Sequence, residues 1–557
     1  MAAASERLPL GGDPAPPSLP LDDRPLLVAT VDAEDLEEFS AEAADAMAAG
    51  ADIVELRADL LNSLDVDELA AVTPGLPLLL TLRRRPHYSE GERLAILESL
   101  IPFVDYVDLE ADIAAARLRS LLQLAHREGT RTILSTHLVG AVPPPDILAA
   151  AILAPRQQGL RSTVCKVVIE AATASDLHQL RLLSKRLAAA SAPHEEGGKR
   201  TVRFALMATG PLGQLSRFLA RSLGSVLLYG TLHEPSAVTE GQVELQYLHQ
   251  LLPLHIEEGT ELFGILGYPL ALTLSPPMYN AAFAHTGRDA AYLPLAVRAP
   301  RLSAVVQALR DLGAGGCNVT HPYKEAVLEH ADVLSPQTQM VGAANTLRFV
   351  KGSVEAHNTD IAGLETALQH AGIVTQGREV VILGAGGGAR AAVAACSRSA
   401  RVRIVGRDHV RARQVREELA GRLPVPVDDS PWESRSKACA EADVVINATP
   451  VGSVGILDGL PLEVSHLRPD AAVFDMAYHP QETMLVRSAR KRGLRTADGR
   501  MMLLEQAVLA YHLFTSAPAP RVVMETALMT ALSTLRSALQ APPSPGSIDA
   551  EGEEGGE

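Results

Sequence analysis

Residues 378–408 read REVVILGAGGGARAAVAACSRSARVRIVGRD. An aliphatic run enters a turn made of Gly384, Ala385, Gly386, Gly387 and Gly388. An Ala-rich helix is expected to open near Ala389, and a second run, RVRIVG, returns behind it. Strand, glycine turn, helix and strand make a dinucleotide-binding βαβ unit, in which bare backbone approaches a pyrophosphate at the helix N-terminus. Where the second strand ends, an acid suits the ribose hydroxyls of NAD and a cation suits the 2′-phosphate of NADP. The chain offers Arg407, then Asp408, then Arg411. The cation comes first and another follows, so NADP(H) is the expected cofactor, while Asp408 keeps NAD open.

Upstream, ELFGILGYPLALTLSPPMYNAAF runs a strand into a Pro-rich turn carrying Thr273 and Ser275. GCNVTHPYKEAVLEH, GAANTL and HNTDIAG follow, with Thr320, Lys324, Asn345 and Asp360. These short polar side chains suit a polyhydroxylated ligand, although Asn, Ser and Thr also favour turns and caps. Lys324 and Asp360 read as a pair that handles a proton.

The first half has another rhythm. Eight short apolar runs start at residues 26, 52, 76, 104, 131, 164, 202 and 224, with helical periodicity between them. That is the arithmetic of a (β/α)8 barrel, with a doubly wound open sheet as the alternative. Barrel chemistry sits at the carboxyl ends of strands. Those ends carry Glu55 and Arg57, Arg83, Asp108 and Glu110, His137 and Lys166, and Arg217 follows the seventh run. Lys166 interrupts the apolar run VCKVVIE. Burial and neighbouring cations would favour its neutral amine, a nucleophile that forms a Schiff base with a ketone. His137 could then move protons at an adjacent carbon, and the arginines could clamp a carboxylate.

Composition removes other classes. Lys plus Arg is 50 against 66 Asp plus Glu, a formal charge of −16, so no basic field draws in nucleic acid or an anionic membrane. No apolar run reaches membrane-spanning length. Four widely spaced cysteines suggest free thiols in a reducing compartment. The cytoplasm is the expected location, with a plastid as the alternative. The expected partners are small-molecule substrates, and oligomeric state stays open.

VELRADLL, VDLE, STHLVGAVPPP, VCKVVIEA and GPLGQLSR together resemble the type I 3-dehydroquinate dehydratases. The resemblance implies an imine on Lys166, proton transfer by His137, and substrate contacts from Glu55, Arg57, Arg83, Arg217 and Gln242. The chain departs from that family in two places. The acid after Arg83 is Glu90, seven residues on, and the closing loop reads PSAVTEGQ, separating Ser236 from Gln242. GILGYPLALTLSP, NVTHPYK, NTD, VVINATPVG, VFDMAYHPQET and DGRMMLLEQA resemble shikimate dehydrogenase. This implies catalysis by Lys324 and Asp360. It also implies carboxylate binding by Ser275 and Thr273, hydroxyl binding by Thr320, Asn345 and Gln506, and a contact from Tyr478. Here the departures are Leu272, Tyr279 and the Gly406-Arg407-Asp408 sequence.

The expected architecture is an α/β chain. A flexible tail (1–24) precedes a (β/α)8 dehydratase barrel (25–255). A substrate-binding domain (260–370, completed by 500–540) and a Rossmann NADP domain (371–499) follow, then an acidic tail (541–557). The expected function is bifunctional. 3-Dehydroquinate is dehydrated to 3-dehydroshikimate, which is then reduced to shikimate. A quinate-directed dehydrogenase with an impaired barrel, and a non-catalytic sensor, are the alternatives.

Overall fold

The computed structural model describes residues 24–540 apart from 64, 73, 86–88, 158–161, 191–201, 234–240, 253, 255, 271–272, 454–458 and 480–481. Ser236, Leu272, the acidic tail and residues 1–23 of the N-terminal tail lie outside the described residues. The chain divides into two compact units, one ending at Glu258 and one beginning at Gly259.

The first unit has eight parallel strands: β1 (Leu26–Val31), β2 (Ile53–Arg57), β3 (Leu78–Thr81), β4 (Tyr106–Glu110), β5 (Arg131–Leu138), β6 (Val164–Glu170), β7 (Phe204–Thr209) and β8 (Leu227–Thr231). Their order is β7-β6-β5-β4-β3-β2-β1-β8, so β1 pairs with β8 and the sheet curls towards closure. No strand ladder joins β7 to β8. The seam is bridged instead by Val226 N–H donating to Phe204 O (2.9 Å) and by the Ser225 hydroxyl, which links to both Leu206 N and Leu206 O. This is a barrel, and the open-sheet alternative falls away.

Helices alternate with these strands for local reasons. Leu36–Ala48 starts where the Asp35 carboxylate caps Glu37 N and Glu38 N, with both glutamates favourable at the positive end of the helix. Ala115–Glu128 buries Leu118, Leu121, Leu122 and Ala125, one helical face, and stops at Gly129 with φ 79°.

The two-residue period of strands arranges the barrel interior. Val28, Ile53, Leu79, Tyr106, Ile133, Val164, Ala205 and Leu227 belong to one apolar cluster. Two residues further along the same strands stand Thr30, Glu55, Thr81, Asp108, Ser135, Lys166, Met207 and Tyr229. Another step of two reaches Arg57, Arg83, Glu110 and His137. An apolar floor thus carries a buried polar belt, and a charged rim stands above it at the carboxyl ends.

The second unit holds two six-stranded sheets. Its strands are β9 (Glu261–Gly267), β10 (Ala290–Ala296), β11 (Gly316–Val319), β12 (Val333–Leu334), β13 (Thr346–Val350), β14 (Ser353–His357), β15 (Glu379–Leu383), β16 (Arg401–Gly406), β17 (Val427–Pro431), β18 (Val444–Asn447), β19 (Ala472–Asp475) and β20 (Arg495–Asp498). The first sheet runs β10-β9-β11-β13-β14-β12, parallel through β10, β9 and β11 and antiparallel at β13. The second runs β17-β16-β15-β18-β19-β20, all parallel. That is the doubly wound 3-2-1-4-5-6 order, whose ligand crevice lies where the order reverses, between β15 and β18. The chain then returns. Helices Arg500–Thr515 and Arg521–Gln540 bury Leu504, Tyr511, Phe514, Met524 and Leu528 against Phe263, Tyr279 and Phe283 of the first sheet's lobe.

Candidate active sites

In the barrel, Lys166 is 4% exposed, and its Nζ donates to Asp108 Oδ2 at 3.1 Å. Glu55 Oε1 lies 4.0 Å away, and the Tyr229 ring centroid lies 3.9 Å beneath the ammonium. The expected ring of cations around Lys166 is therefore corrected: its immediate charged neighbours are two carboxylates. The reason is the polar belt, which places Glu55 and Asp108 in the same inward row as Lys166. Glu55 is fixed by the hydroxyls of Thr30 and Thr81, each donating at 2.7 Å. Burial alone would raise the Asp108 carboxyl, but Lys166, Arg83 and the Ser135 hydroxyl outweigh it and hold Asp108 well below the usual carboxylate range. The Tyr229 hydroxyl is buried without a hydrogen-bond partner among the described residues, and burial holds its pKa well above 10.

Above this belt, Arg83 pairs with Glu110 at 3.3 Å, and its two terminal nitrogens each lie 2.9 Å from a ring nitrogen of His137. A neutral imidazole accepts at only one nitrogen, so only one of the two contacts is a hydrogen bond from Arg83. Burial, Arg83 and Lys166 push the His137 pKa down to about 3. The ring is exposed at the barrel mouth, so the two fixed cations are the durable part of that depression. His137 is thus a neutral base at neutral pH.

The remaining barrel candidates divide. Gln242 reaches the belt through Nε2 to Thr30 Oγ1 (3.3 Å), while its buried Oε1 has no partner among the described residues. Arg57 is already held by both oxygens of Asp59, at 3.0 and 2.9 Å. Arg217 is buried and bonded to Ala208 O, Gly213 O and Ser216 Oγ. It meets no carboxylate among the described residues, and burial pushes its pKa down to about 9. Glu90, in the first turn of the helix after β3, is taken by Arg93 and Arg84. Sequence reasoning marked Asp108 as a strand-end acid without a role and missed Tyr229. The row two residues above the apolar floor contains both.

In the second unit, a cavity of about 160 Å³ is lined by Ser275, Asn318, Thr320, Lys324, Asn345, Asp360, Tyr478 and Gln506, with Gly388, Met476 and Gly499 on the dinucleotide side. Lys324 Nζ donates to Asp360 Oδ2 at 2.6 Å. Asn345 Nδ2 donates to Asp360 Oδ1 (2.8 Å) and reaches Gln506 Oε1 (3.3 Å), while Thr359 N donates to Asn345 Oδ1 (2.7 Å). Asp360 is the first residue of the helix Asp360–His370. Burial raises the Tyr478 phenol above its ordinary value. Thr273 stands outside the walls of this cavity. Thr359 was not singled out, and it belongs with Asn318, one of the polar side chains expected to suit a hydroxylated ligand, to the Asn-Thr network that holds Asn345.

The glycine turn differs from expectation in one detail. The helix opens at Gly387 with Gly386 as its N-cap, not near Ala389, because residues without a Cβ can form the first turn under Lys324. A Cβ at Gly387 would stand 2.7 Å from Lys324 Cβ. Gly384 has φ 116°, and a Cβ there would stand 2.9 Å from Ala448 O, across the β15–β18 switch point. At Gly386 a Cβ would meet nothing within 4 Å. The turn is closed towards Lys324 and open on its other side, a cradle that fits a pyrophosphate. At the end of β16, Asp408 caps the next helix by accepting from Arg411 N (3.0 Å). Arg411 bonds Ala385 O and Glu325. Arg407 is exposed, with no partner among the described residues.

A buried lysine over a carboxylate in a barrel, and a lysine–aspartate pair beside a dinucleotide cradle, define a lyase barrel joined to a nicotinamide-dependent oxidoreductase. Residues 27–258 match the family model for type I 3-dehydroquinase, and residues 265–347 match the shikimate dehydrogenase substrate binding domain. The NADP(+) shikimate dehydrogenase of Methanothermobacter thermautotrophicus is 39% identical over 277 residues, spanning 49% of this chain and 98% of that protein. The Rubrobacter xylanophilus enzyme is 40% identical over 264 residues, spanning 47% of this chain and 92% of that protein. The solved Thermus thermophilus shikimate 5-dehydrogenase, in complex with NADP(H) and shikimate, is 32% identical with a TM-score of 0.44, spanning 49% of this chain and 99% of that one. The chain belongs to the shikimate dehydrogenase family and carries a type I 3-dehydroquinase domain ahead of it.

Proposed function

We propose that this chain is a bifunctional shikimate-pathway enzyme in which Lys166 and His137 carry the first step and Lys324 and Asp360 the second. The barrel dehydrates 3-dehydroquinate to 3-dehydroshikimate, and the second unit reduces that ketone to shikimate with NADPH. The Lys166–Asp108 contact carries the reading of the first step, since it holds a nitrogen nucleophile at the base of a charged barrel mouth.

In the first step, Lys166 gives up its ammonium proton, its free amine attacks the substrate ketone, and the carbinolamine hydroxyl takes up that proton and leaves as water to give a protonated imine. Neutral His137 takes a proton from the adjacent carbon, and the protonated imine accepts the electron pair to become a neutral enamine. The protonated His137 then gives its proton to the departing hydroxyl, which leaves as a second water. Hydrolysis of the imine restores the ketone and the amine. Arg217 supplies the substrate carboxylate with a buried cation that meets no anion among the described residues. Gln242, Glu55, Arg57 and Arg83 shape the rest of the site.

In the second step, NADPH when bound supplies hydride to the carbonyl carbon. Gly384, Ala385, Gly386, Gly387 and Gly388 would cradle its pyrophosphate, and Arg407 with Arg411 would take its 2′-phosphate. The engagement of Asp408 as a helix cap supports NADP over NAD. Lys324, held by Asp360, gives the carbonyl oxygen its proton. Asn345, Gln506 and Thr320 bind substrate hydroxyls, Ser275 the carboxylate, and Tyr478 lines the cavity beside the ring. We place the enzyme in the cytoplasm, where four buried free thiols persist. Among the described residues, no helix is long and apolar enough to cross a membrane.

Borohydride added during turnover of 3-dehydroquinate tests the first step. The reduced adduct should map to the peptide containing Lys166. An adduct elsewhere, or none with dehydration intact, would overturn this assignment.

A further inference from the structure

Lys324 is followed by Glu325, whose side chain points away from the substrate cavity into the dinucleotide lobe. Its Oε2 lies 3.2 Å from Arg390, and its Oε1 accepts from Arg411 at 2.5 Å. Arg390 belongs to the helix Gly387–Ala395, and Arg411 belongs to His409–Leu419. Arg390 is 2% exposed and is also fixed by Glu418 (2.7 Å) and by Val341 O (3.0 Å). A guanidinium buried this deeply is costly unless its partners are in place, so its position is tightly determined. Arg411 meanwhile bonds Ala385 O of the glycine turn at 3.1 Å. The dipeptide Lys324-Glu325 is therefore held from one side by Gly387 under the lysine stem and from the other by two arginines.

We propose that Glu325 is a positioning residue for the reduction. It fixes the segment bearing Lys324 to the two cofactor helices, and it shares Arg411 with the cofactor's 2′-phosphate. This rests on the reading of Lys324 as the proton donor and of Arg411 as a phosphate ligand. Two consequences separate the role from general support of the fold. Loss of the carboxylate frees the Lys324 segment, so turnover falls. The same loss releases Arg411 to the phosphate, so the demand for NADP+ does not rise.

The test uses the full chain, with shikimate oxidised by NADP+ and separately by NAD+. Glu325→Gln should lower kcat about tenfold with either cofactor, the size expected when a reacting group is loosened. The KM for NADP+ should stay level or fall, and that for NAD+ should stay level. Glu325→Asp should recover part of kcat. The double variant Glu325→Gln with Arg390→Gln should be no slower than the slower single variant, because coupled partners are not additive. Dehydration of 3-dehydroquinate by the same preparations normalises the amount of chain, and a melting transition like the parent's reports that the second unit is folded. A Glu325→Gln kcat within twofold of the parent, beside a crippled Lys324→Met, overturns the proposal. So does a rise in both cofactor KM values with the fall in kcat. An unaffected Lys324→Met would instead overturn the reading of Lys324 itself.

Discussion

Lys166 Nζ rests 3.1 Å from Asp108 Oδ2 in the buried belt of the barrel, a charge-assisted contact away from bulk water. Asp108 is thus the partner that aims Lys166 between turnovers and the anion nearest to any imine nitrogen formed there. Asp108→Asn should keep the fold, since Ser135 can still donate to the side-chain oxygen. Dehydration kcat should fall about 10- to 100-fold, the cost of a misplaced nucleophile. Steady-state dehydration of 3-dehydroquinate checks this, and an unchanged kcat would remove Asp108 from the account.

His137 should leave no inflection near 6.5 in the pH dependence of kcat/KM for dehydration. Its pKa in the free enzyme is pushed down to about 3, so it is already the neutral base across the neutral and mildly acidic range. The same depression acts on stability. The folded chain binds the His137 proton more weakly than the unfolded chain, so stability falls as pH drops below the ordinary histidine value towards 3. An acid limb near 6.5 in the parent enzyme, unmoved in Arg83→Lys, would show that Arg83 does not hold the ring neutral as described.

Arg407 is an exposed cation at the end of β16 with no partner among the described residues, while Asp408 is occupied as a helix cap. Arg407→Ala should raise the KM for NADP+ about 10- to 100-fold, the value of one or two charge-assisted hydrogen bonds. The KM for NAD+ should change less than twofold. Equal increases for both cofactors would place Arg407 away from the 2′-phosphate.

Asp475, at the end of β19, accepts from Asn447 Nδ2 (2.9 Å), Ala477 N (3.1 Å) and Thr483 Oγ1 (2.6 Å), yet burial pushes its carboxyl up to about 6. A raised carboxyl binds its proton more tightly in the folded state. Its stabilising contribution is full below about pH 4 and is lost as pH rises through about 6, a change of roughly 3 kcal/mol. Asp475→Asn removes that dependence, so the variant's melting temperature should gain on the parent's between pH 4.5 and 7.5. A constant difference across that range would count against the raised pKa.

Much of this site was legible because strand periodicity is strict. Glu55, Arg57, Arg83, His137 and Lys166 sit at inward positions two residues apart, and polar residues inside apolar runs are conspicuous. The charge balance around Lys166 was not legible. Which rows align depends on the stagger between strands, and only that stagger sets Asp108 beside Lys166. Asp408 looked like a ribose ligand because its place in the chain fits one. Its use as a helix cap depends on a local backbone turn that residue type does not specify. The helix start at Gly387 was missed because glycine is a poor helix former in isolation, and here the close approach of Lys324 selects it. Glu325 stood out in no motif. Its partners lie 65 and 86 residues away along the chain and meet it only through the packing of one lobe on the other.

The central claim is that one chain carries out both steps. Purified protein supplied with 3-dehydroquinate and NADPH should oxidise the cofactor and accumulate shikimate, and Lys166→Ala should abolish this while leaving reduction of added 3-dehydroshikimate intact. Accumulation of quinate, or cofactor oxidation only when 3-dehydroshikimate is supplied, would contradict the account.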